Sequence, residues 1–173
     1  MQPTCRARGP GDLAGLRVER AIRNGTRVSF VLADIDNFKE INDGFGHQTG
    51  DNVIRAVGRA LAGSVRELDF PARYGGEEFA LILPGSSLAD AARTAERIRR
   101  AVTAVEVEGP TGEPARVTAS FGIAEFPTYA NAEALIAAAD AALYQAKRGG
   151  KDQVATATLQ GQAGVPASVG SVA

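Results

Sequence analysis

The stretch Val28-Ser29-Phe30-Val31-Leu32-Ala33-Asp34-Ile35-Asp36 decides how this chain reads. Residues 28–33 form a short apolar run rich in residues that favour extended backbone, which predicts a buried strand. The run stops at two acids spaced two apart. On an extended strand end, Asp34 and Asp36 share one face while Ile35 points the other way, into the core. Carboxylates paired there repel each other and lose hydration. A hard divalent cation relieves both costs, and Mg2+ takes oxygen ligands. Taken by itself, the pair reads more readily as a solvated strand end carrying ordinary surface acids.

Outward from this run, residues 38–42 predict one or two helical turns, and apolar residues at 53, 54, 57 and 61 follow helical spacing. Residues 70–74 and 79–83 read as strands around Gly75-Gly76-Glu77-Glu78, so a hairpin is expected. Two glycines let the backbone come close to a bulky anion. Two adjacent glutamates then put negative charge where a phosphate would sit, which makes sense only if a metal bridges the two. A plain turn with exposed acids is the alternative. Leu88, Ala92, Ala95, Ile98 and Val102 mark a second long helix. Residues 117–126 read as a strand interrupted at Gly122. Leu135, Ile136, Ala139 and Leu143 mark a last helix that ends near Lys147, ahead of Gly149-Gly150. The order β-α-α-β-β-α-β-α predicts one sheet with helices packed against it.

Composition bounds the rest. A chain of 173 residues, 45% hydrophobic and 23% charged, suits one domain that needs no metal or disulfide staple to fold. Nineteen basic against twenty acidic residues leave a net charge of -1, which argues against a dedicated binder of nucleic acid polymers. The single cysteine, Cys5, excludes an internal disulfide and fits a reducing compartment. Arginines at 6, 8, 17 and 20 come with no apolar block of a secretory signal, and no run of about 18 apolar residues could span a membrane, so a cytoplasmic location is expected. Residues 1–11 read as a flexible lead-in, 12–153 as the domain and 154–173 as an uncharged, disordered tail. Lys151 follows two glycines but lacks the pattern of a Walker loop. His47, the one histidine, is assigned no catalytic role.

The run LADIDNFKEINDGFGHQTGD (32–51) followed by RYGGEEFALILP (73–84) resembles the GGDEF domain family, the diguanylate cyclases, over residues 28–152. The resemblance implies an α+β fold like that of nucleotide cyclases and the polymerase palm: one mixed, largely antiparallel sheet flanked by helices on a ferredoxin-like core. It implies condensation of two GTP into cyclic di-GMP with release of two pyrophosphates, in a homodimer whose subunits each hold one GTP. By motif position, Asp34, the backbone carbonyl of Ile35, and Glu77 are expected to bind Mg2+, with Mn2+ as a substitute. Glu78 is expected to orient or deprotonate the attacking 3′-hydroxyl. Phe38 and Lys39 are expected along the phosphates and Asn42 and Asp51 at guanine. Lys147 is expected at the terminal phosphates, and Lys151, which replaces the arginine of the closing GRN, is placed with the substrate-binding residues.

Physical chemistry supports these roles. Phosphoryl transfer needs charge neutralisation and in-line positioning more than covalent chemistry. Guanine offers N1–H and its N2 amine as adjacent donors, and the Asp51 carboxylate accepts both. Plainer roles stay open: Asp51 as a charge near a helix start, Asn42 as a helix terminator, and Lys147 as a last-turn lysine. Arg66-Glu67-Leu68-Asp69 matches the family's RxxD inhibitory site, with Arg97 as its second arginine; a weak surface ion pair is the alternative. Leu13-Ala14-Gly15-Leu16 resembles the family's opening turn, and counting from it shortens the helix ahead of residue 28. The expected function is therefore a product-inhibited diguanylate cyclase; the alternative is a non-catalytic module that binds cyclic di-GMP or GTP and signals through a partner protein.

Overall fold

The computed structural model describes residues 9–158. In chain order they form α1 (Gly9–Arg23), β1 (Val28–Ile35), α2 (Phe38–Phe45), α3 (His47–Gly63), β2 (Phe70–Arg73), β3 (Glu78–Pro84), α4 (Leu88–Thr103), β4 (Ala119–Phe126), α5 (Ala132–Arg148) and β5 (Val154–Thr156). Every residue of β1 is buried. Val31, Ala33 and Ile35 face one side of the sheet, and Val28, Phe30 and Leu32 face the other. A strand apolar on both faces belongs in the middle of a covered sheet. Accordingly β1 pairs antiparallel with β3 on one side and with β4 on the other. β2 adds antiparallel to β3, and β5 adds parallel to β4, giving the order β2-β3-β1-β4-β5. Residues of α2, α3 and α4 cover the first face, and residues of α1 and α5 the second. This is the mixed, largely antiparallel α+β sheet that the sequence predicts.

Three details differ from that expectation. Leu13-Ala14-Gly15-Leu16 lies inside α1 and forms no opening turn. Ala14 and Val18 are buried, and Ala21 and Ile22 pack on the same cluster; that spacing is helical. With these residues inside the helix, the count that shortened it no longer applies. Second, Gly122 does not interrupt β4. A β-carbon there would lie 2.1 Å from the Ala139 carbonyl oxygen and 2.2 Å from the Leu143 nitrogen. The glycine is present because the α5 backbone rests directly on the strand. Third, residues 9–11 belong to α1 and 154–156 to β5, so secondary structure continues on both sides of 12–153. The remaining parts of the expected lead-in and tail, 1–8 and 159–173, lie outside the described residues. Among the described residues no helix is long and apolar enough to cross a membrane.

Candidate active site

Strand alternation sets the site. Residues 28, 30 and 32 of β1 face α1 and α5, so the even-numbered Asp34 emerges on that side. Asp34 is only 7% exposed, and its Oδ2 lies 2.8 Å from the Lys147 Nζ in the last turn of α5. Directly across the ladder from Asp34 is Glu78, the first residue of β3. Burial pushes the Asp34 carboxyl up, against the pull of the Lys147 ammonium. Burial also pushes Glu78 up, helped by the Asp34 charge beside it. Two carboxylates and one lysine thus meet at the end of two buried strands. Ile35 is buried, and its N–H donates to the Glu77 carbonyl at 3.3 Å, which ties the foot of the hairpin to the same strand end.

The hairpin glycines serve space rather than torsion. Neither Gly75 nor Gly76 has a positive φ. A β-carbon on Gly75 would lie 2.7 Å from the Glu78 Oε2, so the bare backbone leaves room for that carboxylate. The N–H groups of Tyr74 and Gly75 both donate to the Glu78 carbonyl, at 2.8 and 3.2 Å. The Arg73 guanidinium donates to the carbonyls of Gly75 and Gly76, at 3.1 and 2.7 Å. This grip holds the tip in one shape.

The expected base-binding residues come from two helices. Phe38 and Ile41 are buried and anchor α2, while Lys39 is exposed. Asn42, later on the same helix, packs on α3: a β-carbon at Gly50 would fall 2.0 Å from the Asn42 Oδ1 and 3.2 Å from the Phe38 ring. Asp51, the next residue, is exposed. The structure therefore sets the Asn42 side chain against Gly50, the residue before Asp51. Gly50, which permits it, escapes a reading of the sequence, since nothing local signals that a side chain from another helix will occupy its β-carbon position.

A third group lies around the turn between β1 and α2. The Lys151 ammonium donates to the Asn37 Oδ1. Both line a cavity of about 540 Å3 together with Asp36, Glu40, Arg116 and Thr118. Asp36, expected to share a cation with Asp34, instead accepts from the hydroxyls of Ser120 and Thr118, at 2.7 and 2.8 Å, and from the Asp152 N–H at 2.9 Å. Among the described residues no three His, Cys, Asp or Glu side chains form a ready cage for a metal ion.

The expected inhibitory residues also converge, on other elements. The Arg66 N–H donates to the Asp69 Oδ2 at 2.9 Å, and the Asp69 N–H donates to the Arg66 carbonyl at 3.0 Å, so Asp69 closes its own turn. Arg97 reaches across from α4 and donates to the Ser64 carbonyl at 3.2 and 2.7 Å, two residues before Arg66. His47 is exposed at the start of α3.

Comparison with known proteins places this geometry. The family model described as "Diguanylate cyclase, GGDEF domain" matches residues 14–153. The diguanylate cyclase DosC of Escherichia coli strain K12 is 43% identical over 137 residues, which cover 79% of this chain and 30% of that protein. The response regulator PleD of Caulobacter vibrioides is 47% identical over 146 residues, covering 83% of this chain and 32% of that protein. The chain thus spans about a third of the length of these curated relatives. Among solved structures, the GGDEF domain of DgcB from Caulobacter crescentus, in complex with c-di-GMP, superposes with a TM-score of 0.79 at 35% identity, covering 91% of this chain and 98% of that one. The GGDEF domain of PA1120 from Pseudomonas aeruginosa also gives a TM-score of 0.79 at 35% identity, covering 86% and 95%. Carboxylates at two strand ends, a two-glycine hairpin and this sheet order occur together over one continuous match, and the chain belongs to the diguanylate cyclase GGDEF domain family.

Proposed function

We propose that this domain condenses two GTP molecules into cyclic di-GMP, using a second copy of itself to bring the second nucleotide. The observation that carries this reading is the pair of carboxylates, buried Asp34 and half-buried Glu78, set across the ladder with Lys147 beside them in a chain of this family. In the reaction the 3′-oxygen of one GTP attacks the α-phosphorus of the other. The bond from that phosphorus to the bridging oxygen breaks, pyrophosphate leaves, and the 3′-proton passes to a base. Repeating the step in the opposite sense closes the ring.

Glu78 suits the role of base, because its raised affinity for protons brings it closer to a working acceptor than an ordinary surface glutamate. Asn42 and Asp51 face guanine, and Phe38 and Lys39 run along the phosphates. Lys147 neutralises Asp34; with that charge otherwise balanced, its ammonium turns to the terminal phosphates.

The residues that would hold Mg2+ or Mn2+, the carboxylates of Asp34 and Glu77 and the Ile35 carbonyl, offer only oxygen, which suits such hard cations. Phosphate oxygens of the substrate would supply the further oxygen ligands, since no three acidic side chains gather among the described residues. When bound, the ion supplies neutralisation of phosphate charge.

The test is incubation of the purified protein with GTP and Mg2+, reading cyclic di-GMP and pyrophosphate. Product from wild type and far less from Glu77→Gln or Asp34→Asn is expected. Absence of product from wild type at high protein concentration overturns the reading.

A second reading is favoured by one observation, the separate convergence of Arg66, Asp69 and Arg97. In it the domain only holds cyclic di-GMP or GTP and signals to a partner protein. Calorimetry showing tight dinucleotide binding without turnover, lost in Arg66→Ala, would support it instead.

A further inference from the structure

Asp36 is left unused by the chemistry above, yet it is among the most heavily engaged side chains of the domain. It is 4% exposed. Its Oδ1 accepts from Ser120, and its Oδ2 accepts from Thr118 and from the Asp152 N–H. An ionised carboxylate offers about four lone-pair sites. With both oxygens already engaged, this one serves poorly as a second cation ligand.

What Asp36 holds is the segment between α5 and β5. Lys151 and Asp152 have φ of 63° and 45°, and Asn37, across the turn, has φ of 54°. A non-glycine residue disfavours this left-handed region, though Asn and Asp tolerate it better than most. Two in succession persist only where the surroundings fix them, and here they do. The Asp152 N–H is held by Asp36, and the Asp152 carboxylate lies 2.6 Å from the Arg99 Nη1. Arg99 is in turn oriented by two 2.9 Å hydrogen bonds to Glu96 of its own helix. The Lys151 N–H donates to the Ala146 carbonyl at 3.1 Å. The strained backbone directs the Lys151 ammonium onto Asn37, at the cavity beside the β1–α2 turn.

We propose that Asp36, Asp152 and Arg99 form a positioning clamp that presents Lys151 to the terminal phosphates of a guanosine triphosphate. The inference rests on the cyclase reading and assigns work to residues that reading leaves idle. A free lysine gives up freedom when it binds, and fixing its backbone beforehand removes part of that loss. Asp36 acts through Lys151 and touches no reacting atom.

The test is calorimetric titration of wild type, Asp36→Asn, Asp152→Asn, Lys151→Ala and the Asp36→Asn/Lys151→Ala double variant. The ligands are GMP and a GTP analogue whose α,β-bridging oxygen is replaced by methylene. Asp36→Asn is expected to weaken the triphosphate analogue roughly tenfold and GMP less than twofold. Asp152→Asn keeps the backbone contact and loses the Arg99 pair, so a smaller loss in the same direction, roughly threefold, is expected. In the double variant Asp36→Asn should add less than twofold to the loss from Lys151→Ala, because both remove one function. Equal weakening of GMP and triphosphate, full additivity with Lys151→Ala, or wild-type affinity in Asp36→Asn each overturns the clamp while leaving the cyclase reading intact. Wild type that binds neither ligand overturns the cyclase reading. Amide hydrogen exchange then decides the clamp by itself: the Asp152 N–H should exchange slowly in wild type and at least tenfold faster in Asp36→Asn, and equal rates overturn it.

Discussion

At Asp34 the domain holds a charge where burial disfavours it. Burial raises this carboxyl above its ordinary value of 3.8, so the folded state binds the proton more tightly than the unfolded chain. A raised carboxyl lowers stability at pH values above its folded pKa and has no effect below the unfolded one. Asp34→Asn is therefore expected to match or exceed wild-type stability at pH 7, by about 0.5–1 kcal/mol, with turnover reduced about 10^3-fold. The stability difference should close as the pH falls towards 3.8, which denaturant unfolding at several pH values would read. Gly50 carries the opposite kind of constraint. Its missing β-carbon is the space in which the Asn42 carboxamide lies. Gly50→Ala should displace that amide, raise the KM for GTP roughly tenfold and cost about 1–2 kcal/mol of stability. Steady-state kinetics together with urea unfolding separate the two effects. The acids and the hairpin are legible in the sequence because their spacing follows from strand geometry. Gly50 and the engagement of Asp36 are not, because their partners, Asn42 on another helix and Asp152 at the far end of the chain, come together only when the chain folds.

Elements show the same division. β1 reads as a strand because its apolar run is local and its burial complete. β5 hides in an uncharged stretch of small residues, since its three residues owe their strand form to parallel pairing with Phe121, Gly122 and Ile123. α1 is obscured by a four-residue likeness to a turn, although Ala14, Val18 and Ala21 carry helical spacing. Gly122 resembles a break and is in fact a contact. Gly122→Ala would drive a methyl group into the Ala139 carbonyl and the Leu143 nitrogen, both backbone atoms that a rotamer change cannot move. A loss of about 2–3 kcal/mol is expected by urea unfolding. Because α5 carries Lys147, the same substitution should shift the ammonium from Asp34 and lower GTP turnover beyond what unfolding explains.

For the whole molecule, the two groups of proposed site residues occupy different elements. Asp34, Glu78 and Lys147 belong to β1, β3 and α5, whereas Arg66 and Asp69 precede β2 and Arg97 lies on α4. Disabling the second group should spare the first. Arg66→Ala is expected to raise cyclic di-GMP yield at long reaction times, with the initial rate within about twofold of wild type. Progress curves with added product would check this; unchanged curves and unchanged product affinity would remove the inhibitory role. One end of the molecule has a practical consequence for anyone who shortens it. The segment bearing Lys151 is moored at both ends, by α5 before it and by β5 after it, where the Phe121 N–H donates to the Gln153 carbonyl at 2.9 Å. A version of the chain cut at residue 153 would keep every signature motif and the Asp36–Asp152 contact yet lose the parallel strand pairing that backs them, so the trimming point belongs beyond Thr156.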